Sequence, residues 1–249
     1  MKRFGGVLAP FTAGILILGV WQVGASLSGV PASFLPSPWV VFVTLFEQRA
    51  LLWNNSLTTL LETALGVLLA VVAALVWALL LDQSELLKRA LLPYLVASQT
   101  VPIIVLAPLM LLWFGFGLLP KVLLVALFAF FPIVLSTLSG LAQTPSERHD
   151  LMRSLAASPW QTFYLLRWPG ALPSFFAGLR ITLTYSVTGA IFAEYVGGFS
   201  GLGILLQTAA NSRATPLVFA TIVIIALLSS LLVAGVRLLE RLTMPWRFQ

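Results

Sequence analysis

The 249-residue sequence has no cysteine, a single histidine and few charges. Without cysteine there is no disulfide, no thiolate metal site and no cysteine nucleophile. The one histidine, His149, leaves no histidine-rich metal site. Charged residues make up 9% of the chain, hydrophobic residues make up 59%, and the mean hydropathy is +1.02. Soluble domains carry about 25% charged residues, so this composition indicates a membrane protein with several spans.

The net charge of +6 does not indicate a nucleic-acid partner. The 14 lysines and arginines are scattered between hydrophobic blocks and form no basic patch. This distribution is typical of positive charges that flank membrane spans and set their orientation. We therefore expect contacts with membrane lipid and none with nucleic acid.

Six charge-poor runs are long enough to cross the hydrocarbon core, which takes roughly 20 apolar residues. They lie at about 7–28, 60–81, 91–115, 121–142, 175–197 and 216–237. If both chain ends are cytoplasmic, 11 of the basic residues fall on the inner side and 3 on the outer side. The outer residues are Arg49, Lys121 and Arg213. Since inner loops are enriched in lysine and arginine, we predict an all-α protein with six spans and cytoplasmic N- and C-termini.

The N-terminal run has an alternative interpretation. Lys2 and Arg3, an apolar stretch and small residues at 25–28 resemble a cleaved signal peptide. The apolar region of a signal peptide is about 7–15 residues long, whereas this run approaches a full span and contains Trp21. We therefore expect a retained helix.

The longest inner loop, at about 143–174, has the sequence pattern of two short helices. Thr144, Pro145 and Glu147 match a capping box with Thr144 as N-cap. Ser158-Pro159-Trp160-Gln161 repeats that pattern, and the second helix is expected to stop before Pro169. Apolar side chains on these helices must pack either against the chain's own inner surface and lipid or against a soluble partner. The sequence pattern favours neither alternative.

Two segments carry a resemblance to a known family. DLMRSLAASPWQTF at 150–163, followed by WPGALP at 168–173, resembles the EAA signature of ABC-importer permeases. QTVPIIVLAPL at 99–109 and WFGFG at 113–117 are similar to the nitrate/sulfonate/taurine group of those permeases. Segments 98–108, 117–121 and 185–194 are most similar to its branch for thiamine-pathway pyrimidine precursors. The similarity extends from about Ser56 to the C-terminus.

The EAA signature is altered at several positions. Asp150 stands for the glutamate, Leu151 and Met152 for the alanines, Ala156 for the glycine and Trp168 for the leucine before proline. Aspartate keeps the negative charge on a shorter side chain. Alanine is less suited than glycine to the left-handed residue that ends many helices.

The resemblance implies a type I ABC-importer permease fold with two permease copies, expected to be a homodimer in the plasma (inner) membrane. Cytosolic ABC ATPase subunits would drive transport, and an extracytoplasmic substrate-binding protein would deliver the solute. This chain has no Gly-x-x-x-x-Gly-Lys phosphate loop, so ATP hydrolysis is expected in a separate subunit, without a cofactor in the permease. The domains predicted are 1–55 for the first helix and an extracytoplasmic segment, 56–240 for the transmembrane domain and 241–249 for a cytoplasmic tail.

The resemblance also assigns roles in the loop. The residues expected to couple to the ATPase are Asp150, Arg153, Leu155, Ala156, Ala157, Ser158 and Trp160. Asp150 would accept a charged hydrogen bond from the ATPase, and Leu155 would fill its groove. The alternative for Asp150 is a favourable charge in the first turn of a helix.

Candidates for the transport pathway lie on the third and fifth spans. Polar side chains on both sides of the fifth span indicate a helix that lines a cavity or a subunit contact. The candidates are Gln99, Thr100, Thr184, Tyr185, Thr188 and Glu194. Gln99 and Thr100 precede Pro102 and serve either the pathway or the kink itself. Glu194 is expected near the outer mouth, as a gate or as an interfacial carboxylate, and Glu62 is expected at the interface.

Two other classes of membrane protein fit the sequence less well, namely an ion-coupled secondary transporter or channel and an intramembrane enzyme. Secondary transporters place ionisable residues near the bilayer midplane, and the sequence pattern here puts the charges near boundaries. An intramembrane enzyme would need a cluster of bases, nucleophiles or metal ligands. For the substrate, the resemblance favours a thiamine-pathway pyrimidine precursor, with a sulfonate, taurine or nitrate-type anion as the alternative.

Overall fold

The computed structural model describes residues 2–247, and their side chains except at 2–11 and 103–104. Predictions about residues 248–249 of the tail or the side chains of Lys2 and Arg3 lie outside the described residues. The part described is helical and contains no strand. The helices are α1 (Lys2–Leu27), α2 (Pro38–Glu47), α3 (Arg49–Gln83), α4 (Glu85–Ser98), α5 (Ile103–Phe114), α6 (Leu118–Ala142), α7 (Ser146–Ser154), α8 (Pro159–Thr162), α9 (Trp168–Gly197), α10 (Leu202–Asn211) and α11 (Thr215–Thr243). A π-helical turn (Phe163–Arg167) joins α8 to α9, and a 3-10 turn (Pro245–Arg247) follows α11.

Helix α6 lies at the centre and packs along both α3 and α9. The face of α3 towards α6 has a small residue at every fourth position, namely Gly66, Ala70, Ala74 and Ala78. A methyl group at Gly66 would lie 2.5 Å from Cβ of Val125 on α6, so only glycine fits there. Small residues allow helices to approach closely when lipid supplies no hydrophobic driving force. Helix α11 packs on α9, and α5 packs on α6 and α9.

Four helices in the described part are long and apolar enough to cross a membrane. They are Arg49–Gln83, Leu118–Ala142, Pro159–Gly197 and Thr215–Thr243. They contain the second, fourth, fifth and sixth predicted spans. The first predicted run overlaps α1, whose part with described side chains, Thr12–Leu27, is apolar. The third overlaps the end of α4 and the short apolar helix α5.

The third predicted run, 91–115 with a kink at Pro102, is interrupted more fully than by a kink. The chain leaves the helix after Ser98 and starts a new one at Ile103. Pro102 has no N–H for a helical hydrogen bond and disfavours helical backbone at the residue before it. The last turn of α4 tightens, and the amides of Gln99 and Thr100 donate to Val96 and Ala97 at 3.2 and 3.0 Å.

Two further helices were not predicted. Helix α2 starts at Pro38, where Ser37 is the N-cap and its Oγ accepts from the Val40 amide at 3.4 Å. Helix α10 follows Gly201, which has a φ of 118°. Both have 10 residues, too few to appear in a search for spans of about 20.

Candidate functional site

The loop between α6 and α9 is well ordered by local hydrogen bonds. The predicted capping box at Ser158 is confirmed: its Oγ accepts from the Gln161 amide at 3.2 Å, and the Ser158 amide donates to Gln161 Oε1 at 2.7 Å. The capping box at Thr144 is wrong. Helix α7 has Pro145 at its N-cap with no side-chain cap, and Thr144 Oγ1 instead donates to the Leu141 carbonyl at 3.4 Å.

Helix α7 ends in a Schellman motif centred on Ala156. This residue has a φ of 53°, the left-handed conformation for which glycine is better suited. Its amide donates to the Arg153 carbonyl at 2.9 Å, and the Ala157 amide donates to Met152 at 3.0 Å. The turn therefore forms with alanine at the position where the EAA signature has glycine.

The expected coupling residues lie on the exposed side of this loop. Leu155 and Trp160 are each 68% exposed, and Leu151 is 59% exposed. The carboxylate of Asp150 pairs with Arg153 at 3.8 Å, and both side chains are more than 70% exposed. Pairs this exposed contribute little to stability. The loop thus presents apolar side chains and a carboxylate to its surroundings.

The prediction that the second loop helix stops before Pro169 is wrong. Helix α8 continues through the π-helical turn into α9, so that 159–197 form one continuous helical segment. In the π-turn the Trp168 amide donates to the Phe163 carbonyl. This wider hydrogen-bond ring lies directly before Pro169, which has no N–H of its own. The loop and the long helix are therefore mechanically joined.

An ion pair fixes this joint to α3. Arg167 Nη2 donates to Asp82 Oδ1 at 2.7 Å, and the side chains are 25% and 12% exposed. A cavity of about 530 Å³ lies beside this pair, between the end of α3 and the aromatic side chains of Trp160, Phe163 and Trp168. Sequence analysis missed the pair, although Asp82 directly follows an apolar run.

A second cavity, of about 480 Å³, lies at the break between α4 and α5, against α6 and α9. It is lined by Ser98, Gln99, Val101, Leu106, Leu127, Phe128, Phe131, Pro132, Ile181, Thr182 and Tyr185. The rings of Phe128 and Tyr185 meet edge to face, with centroids 6.2 Å apart. We call it the aromatic cavity. Two of the pathway candidates, Gln99 and Tyr185, line this cavity. A third, Thr100, instead donates from Oγ1 to the Ala97 carbonyl at the end of α4, at 2.7 Å.

The other candidates on α9 divide into exposed and buried residues. The candidates Thr184, Tyr185 and Thr188 are exposed, and their spacing places them on one stripe of the helix together with the exposed Ile181. The other faces of α9 are largely buried against α6, α11 and α10. Arg180 of α9 pairs with the buried Glu240 of α11 at 3.4 Å.

Glu194 is buried and hydrogen-bonded at both carboxylate oxygens. Thr59 Oγ1 donates to its Oε1 at 2.6 Å, and the Gly203 amide donates to its Oε2 at 2.5 Å. The Leu202 amide donates to Thr59 Oγ1 at 2.9 Å. A side chain at Gly201 would collide with this carboxylate. Glu194 thus connects α9, α3 and the start of α10, and it does not line the aromatic cavity.

The expectation that Glu62 is interfacial is wrong. Its side chain is 2% exposed, and Lys121 Nζ donates to Glu62 Oε1 at 2.6 Å. The pair links α3 to the start of α6 near Glu194. The sequence does contain a signal for this pair, because each charge interrupts an apolar run and a charge inside a membrane helix needs a partner.

Within the described residues no group of three or more metal-ligating side chains occurs.

The comparisons with known proteins agree with this architecture. Residues 66–244 match the family "Binding-protein-dependent transport system inner membrane component", and the chain belongs to this family. It is thus the permease subunit of an ABC importer, located in the plasma (inner) membrane. Its relatives are transport subunits rather than enzymes.

Two relatives and one solved structure are representative. The formylaminopyrimidine transport permease protein ThiX of Halalkalibacterium halodurans is 37% identical over 99% of each chain. The riboflavin transport system permease protein RibX of Chloroflexus aurantiacus is 39% identical over 93% of this chain and 87% of its own. An inward-facing structure of the MetNI methionine ABC transporter superposes with a TM-score of 0.69 at 21% identity, covering 78% of this chain and 97% of that one.

Proposed function

We propose that this chain forms, as a homodimer, the translocation pathway of an ATP-driven importer. Separate cytosolic ATPase subunits drive it, and an extracytoplasmic binding protein delivers a small heteroaromatic solute. The observation that carries the proposal is the exposed loop, with its apolar side chains and Asp150, on a rigid segment continuous with α9. A loop that only connected two spans would need neither the caps nor the exposed apolar side chains.

The topology in this proposal has six crossings with both ends in the cytoplasm. Helices α3, α6, α9 and α11 each supply one crossing by their length. Helix α1 supplies another, and α4 and α5 cross together despite the break between them. The distribution of lysine and arginine supports the orientation, since it places Asp150 and the rest of the loop on the ATPase side.

The loop transmits ATPase closure to the spans as rigid-body motion. Leu155 and Trp160 bury their exposed surface in a groove of the ATPase, and Asp150 exchanges its weak pair with Arg153 for a cation of the ATPase. The capped start at Ser158 and the Schellman turn at Ala156 and Ala157 hold the two loop helices at a fixed angle. Because α8 continues into α9, a displacement of the loop moves α9.

The pathway runs along the exposed stripe of α9, between two copies of the chain. Thr184, Tyr185 and Thr188 supply polar groups there, and Gln99 contributes from the break between α4 and α5. Polar side chains facing lipid at membrane depth are costly, so a second copy or a water-filled passage is the favourable surrounding. Glu194 acts in this proposal as an anchor near the outer end of the pathway, with its gating role still a prediction.

The substrate is proposed to be a thiamine-pathway pyrimidine precursor. The full-length similarity to a formylaminopyrimidine permease supports it. The aromatic cavity also supports it, because none of its lining residues is charged and flat rings pack favourably on Phe128 and Tyr185. A sulfonate, taurine or nitrate-type anion is the alternative, and it would enter such a lining without a cation to balance it.

The test of coupling is Asp150→Arg in the full transporter. We expect loss of ATPase association and uptake with normal membrane insertion, because the substitution puts a cation where the ATPase is expected to offer one. Glu147→Arg is the matched control, since Glu147 is an exposed acid in the first turn of the same helix. Uptake at the normal rate by Asp150→Arg would contradict the docking role.

A further inference from the structure

A third cavity, of about 280 Å³, lies between α9 and α11 on the other side of the exposed α9 stripe. It is lined by Thr184, Ser229, Ser230, Val233, Ala234 and Arg237, and we call it the polar cavity. Its lining differs from that of the aromatic cavity: three hydroxyl groups and a guanidinium take the place of aromatic rings. None of Ser229, Ser230 and Arg237 was a candidate from the sequence.

The two faces of α11 differ in chemistry. Leu227, Leu231, Leu238 and Leu242 are between 54% and 71% exposed and recur at helical spacing, as expected for a face in lipid. Ser230, Val233, Ala234 and Arg237 recur at the same spacing on the neighbouring stripe, with Ala234 at its border with the leucines, and this stripe lines the polar cavity. The leucine stripe and the polar cavity therefore adjoin on one helix.

The hydroxyl groups lie at membrane depth. Ser229 is the midpoint of α11, 14 residues from each end of Thr215–Thr243. Thr184 is near the middle of α9, which runs from Trp168 to Gly197. A lipid headgroup stays near the boundary of the hydrocarbon core, so it cannot reach these hydroxyls. Exposed polar groups at this depth are favourable beside a second copy of the chain or a water-filled passage, and the proposed pathway along α9 makes this the wall of such a passage.

The available hydrogen-bonding groups define what fits. Thr184 Oγ1 donates to the Arg180 carbonyl at 3.0 Å and Ser230 Oγ donates to Ala226 at 2.7 Å, so these oxygens face the cavity as acceptors. Within the described residues, Ser229 and Arg237 have no hydrogen-bond or ion-pair partner. Arg237 can only donate hydrogen bonds, whereas the Ser229 hydroxyl can donate and accept.

We propose that the polar cavity binds the transported solute through a neutral group with a carbonyl or ring-nitrogen acceptor beside an N–H donor. Amides and aminopyrimidines carry such an acceptor and N–H donor side by side. Arg237 donates to the acceptor, and the oxygens of Thr184 and Ser230 accept from the N–H. A sulfonate would accept from Arg237 and Ser229, but it offers no N–H to the oxygens of Thr184 and Ser230 while their hydrogens are donated to the Arg180 and Ala226 carbonyls. This inference rests on the proposed function and identifies residues that select its solute.

The absence of native cysteine permits a direct test by cysteine labelling. In the assembled transporter in proteoliposomes, Ser230→Cys is expected to react with a charged thiol reagent, and a formylaminopyrimidine to slow the reaction at least about tenfold. Methanesulfonate at the same concentration should give no protection. Leu231→Cys, on the adjacent lipid face, is the control and should stay unreactive. Equal reactivity of both variants, or no protection by the pyrimidine, would overturn the proposal.

Uptake distinguishes this inference from the proposed function. Arg237→Gln is expected to lower formylaminopyrimidine uptake about tenfold, since a hydrogen bond to a charged group is lost. Arg89→Gln removes the same charge from an exposed surface pair with Glu85 on α4 and should leave uptake near normal. Normal uptake by Arg237→Gln would refute the inference alone. If the unsubstituted transporter takes up neither pyrimidine nor sulfonate, the proposed function fails and the inference fails with it.

Discussion

The buried ion pair between Lys121 and Glu62 gives the sharpest prediction about stability. Their side chains are 7% and 2% exposed, and the Nζ–Oε1 distance is 2.6 Å. Lys121→Met leaves the Glu62 carboxylate buried without its cation. Removing one partner of a buried pair costs about 3–5 kcal/mol. At roughly 2–4 °C per kcal/mol for a chain of this size, we expect the melting temperature to fall by about 10 °C.

The assay is thermal unfolding of the purified chain in detergent, followed by tryptophan fluorescence. Lys88→Met is the matched control, because Lys88 lies near the start of α4 with no ion pair among the described residues, and it should melt within about 2 °C of the parent chain. Glu62→Leu combined with Lys121→Met should recover most of the loss, since apolar replacement of a whole buried pair is often neutral. Equal melting of Lys121→Met and Lys88→Met would refute the reasoning.

Three further predictions concern the loop, the outer anchor and the joint. Ala156→Gly should stabilise the Schellman turn by about 1 kcal/mol and slow hydrogen exchange of the Ala157 amide; faster exchange would contradict the assigned turn. Glu194→Ala removes the carboxylate that accepts from the Gly203 amide and the Thr59 hydroxyl, so α10 amides should exchange at least about tenfold faster while α6 amides stay protected; unchanged α10 exchange would count against the anchor. Asp82→Ala should lower the melting temperature by about 2–4 °C, since Arg167 loses a charged hydrogen bond that is only partly buried, and an unchanged value would argue that the joint does not need the pair.

The sequence predicts the long spans well because their signal is local. Apolar runs above about 20 residues have few other interpretations, and the runs at 60–81 and 121–142 lie inside α3 and α6. The capping box at Ser158 is equally local, since two side chains three residues apart complete it. At Pro169 and Pro102 the sequence shows only that a proline interrupts the pattern. Whether the chain absorbs it in a π-turn or leaves the helix depends on the packing around it.

The polar contacts between helices were harder to predict. Glu62 and Lys121 are 59 positions apart in the chain, and Thr59 and Glu194 are 135 apart. No periodicity within one helix connects such residues. Arg237 resembles a topogenic charge in the sequence, and only the packing of α11 on α9 places it in a cavity with Thr184.

The central claim is that this chain works as the permease of an ATP-driven importer. The most direct measurement is affinity purification of the tagged chain from native membranes in mild detergent with an ATP-trapping agent, with mass spectrometry of what accompanies it. We expect a P-loop ATPase in stoichiometric amount, together with an extracytoplasmic binding protein, and loss of the ATPase from the Asp150→Arg variant. Recovery of the chain alone under all these conditions would contradict the account.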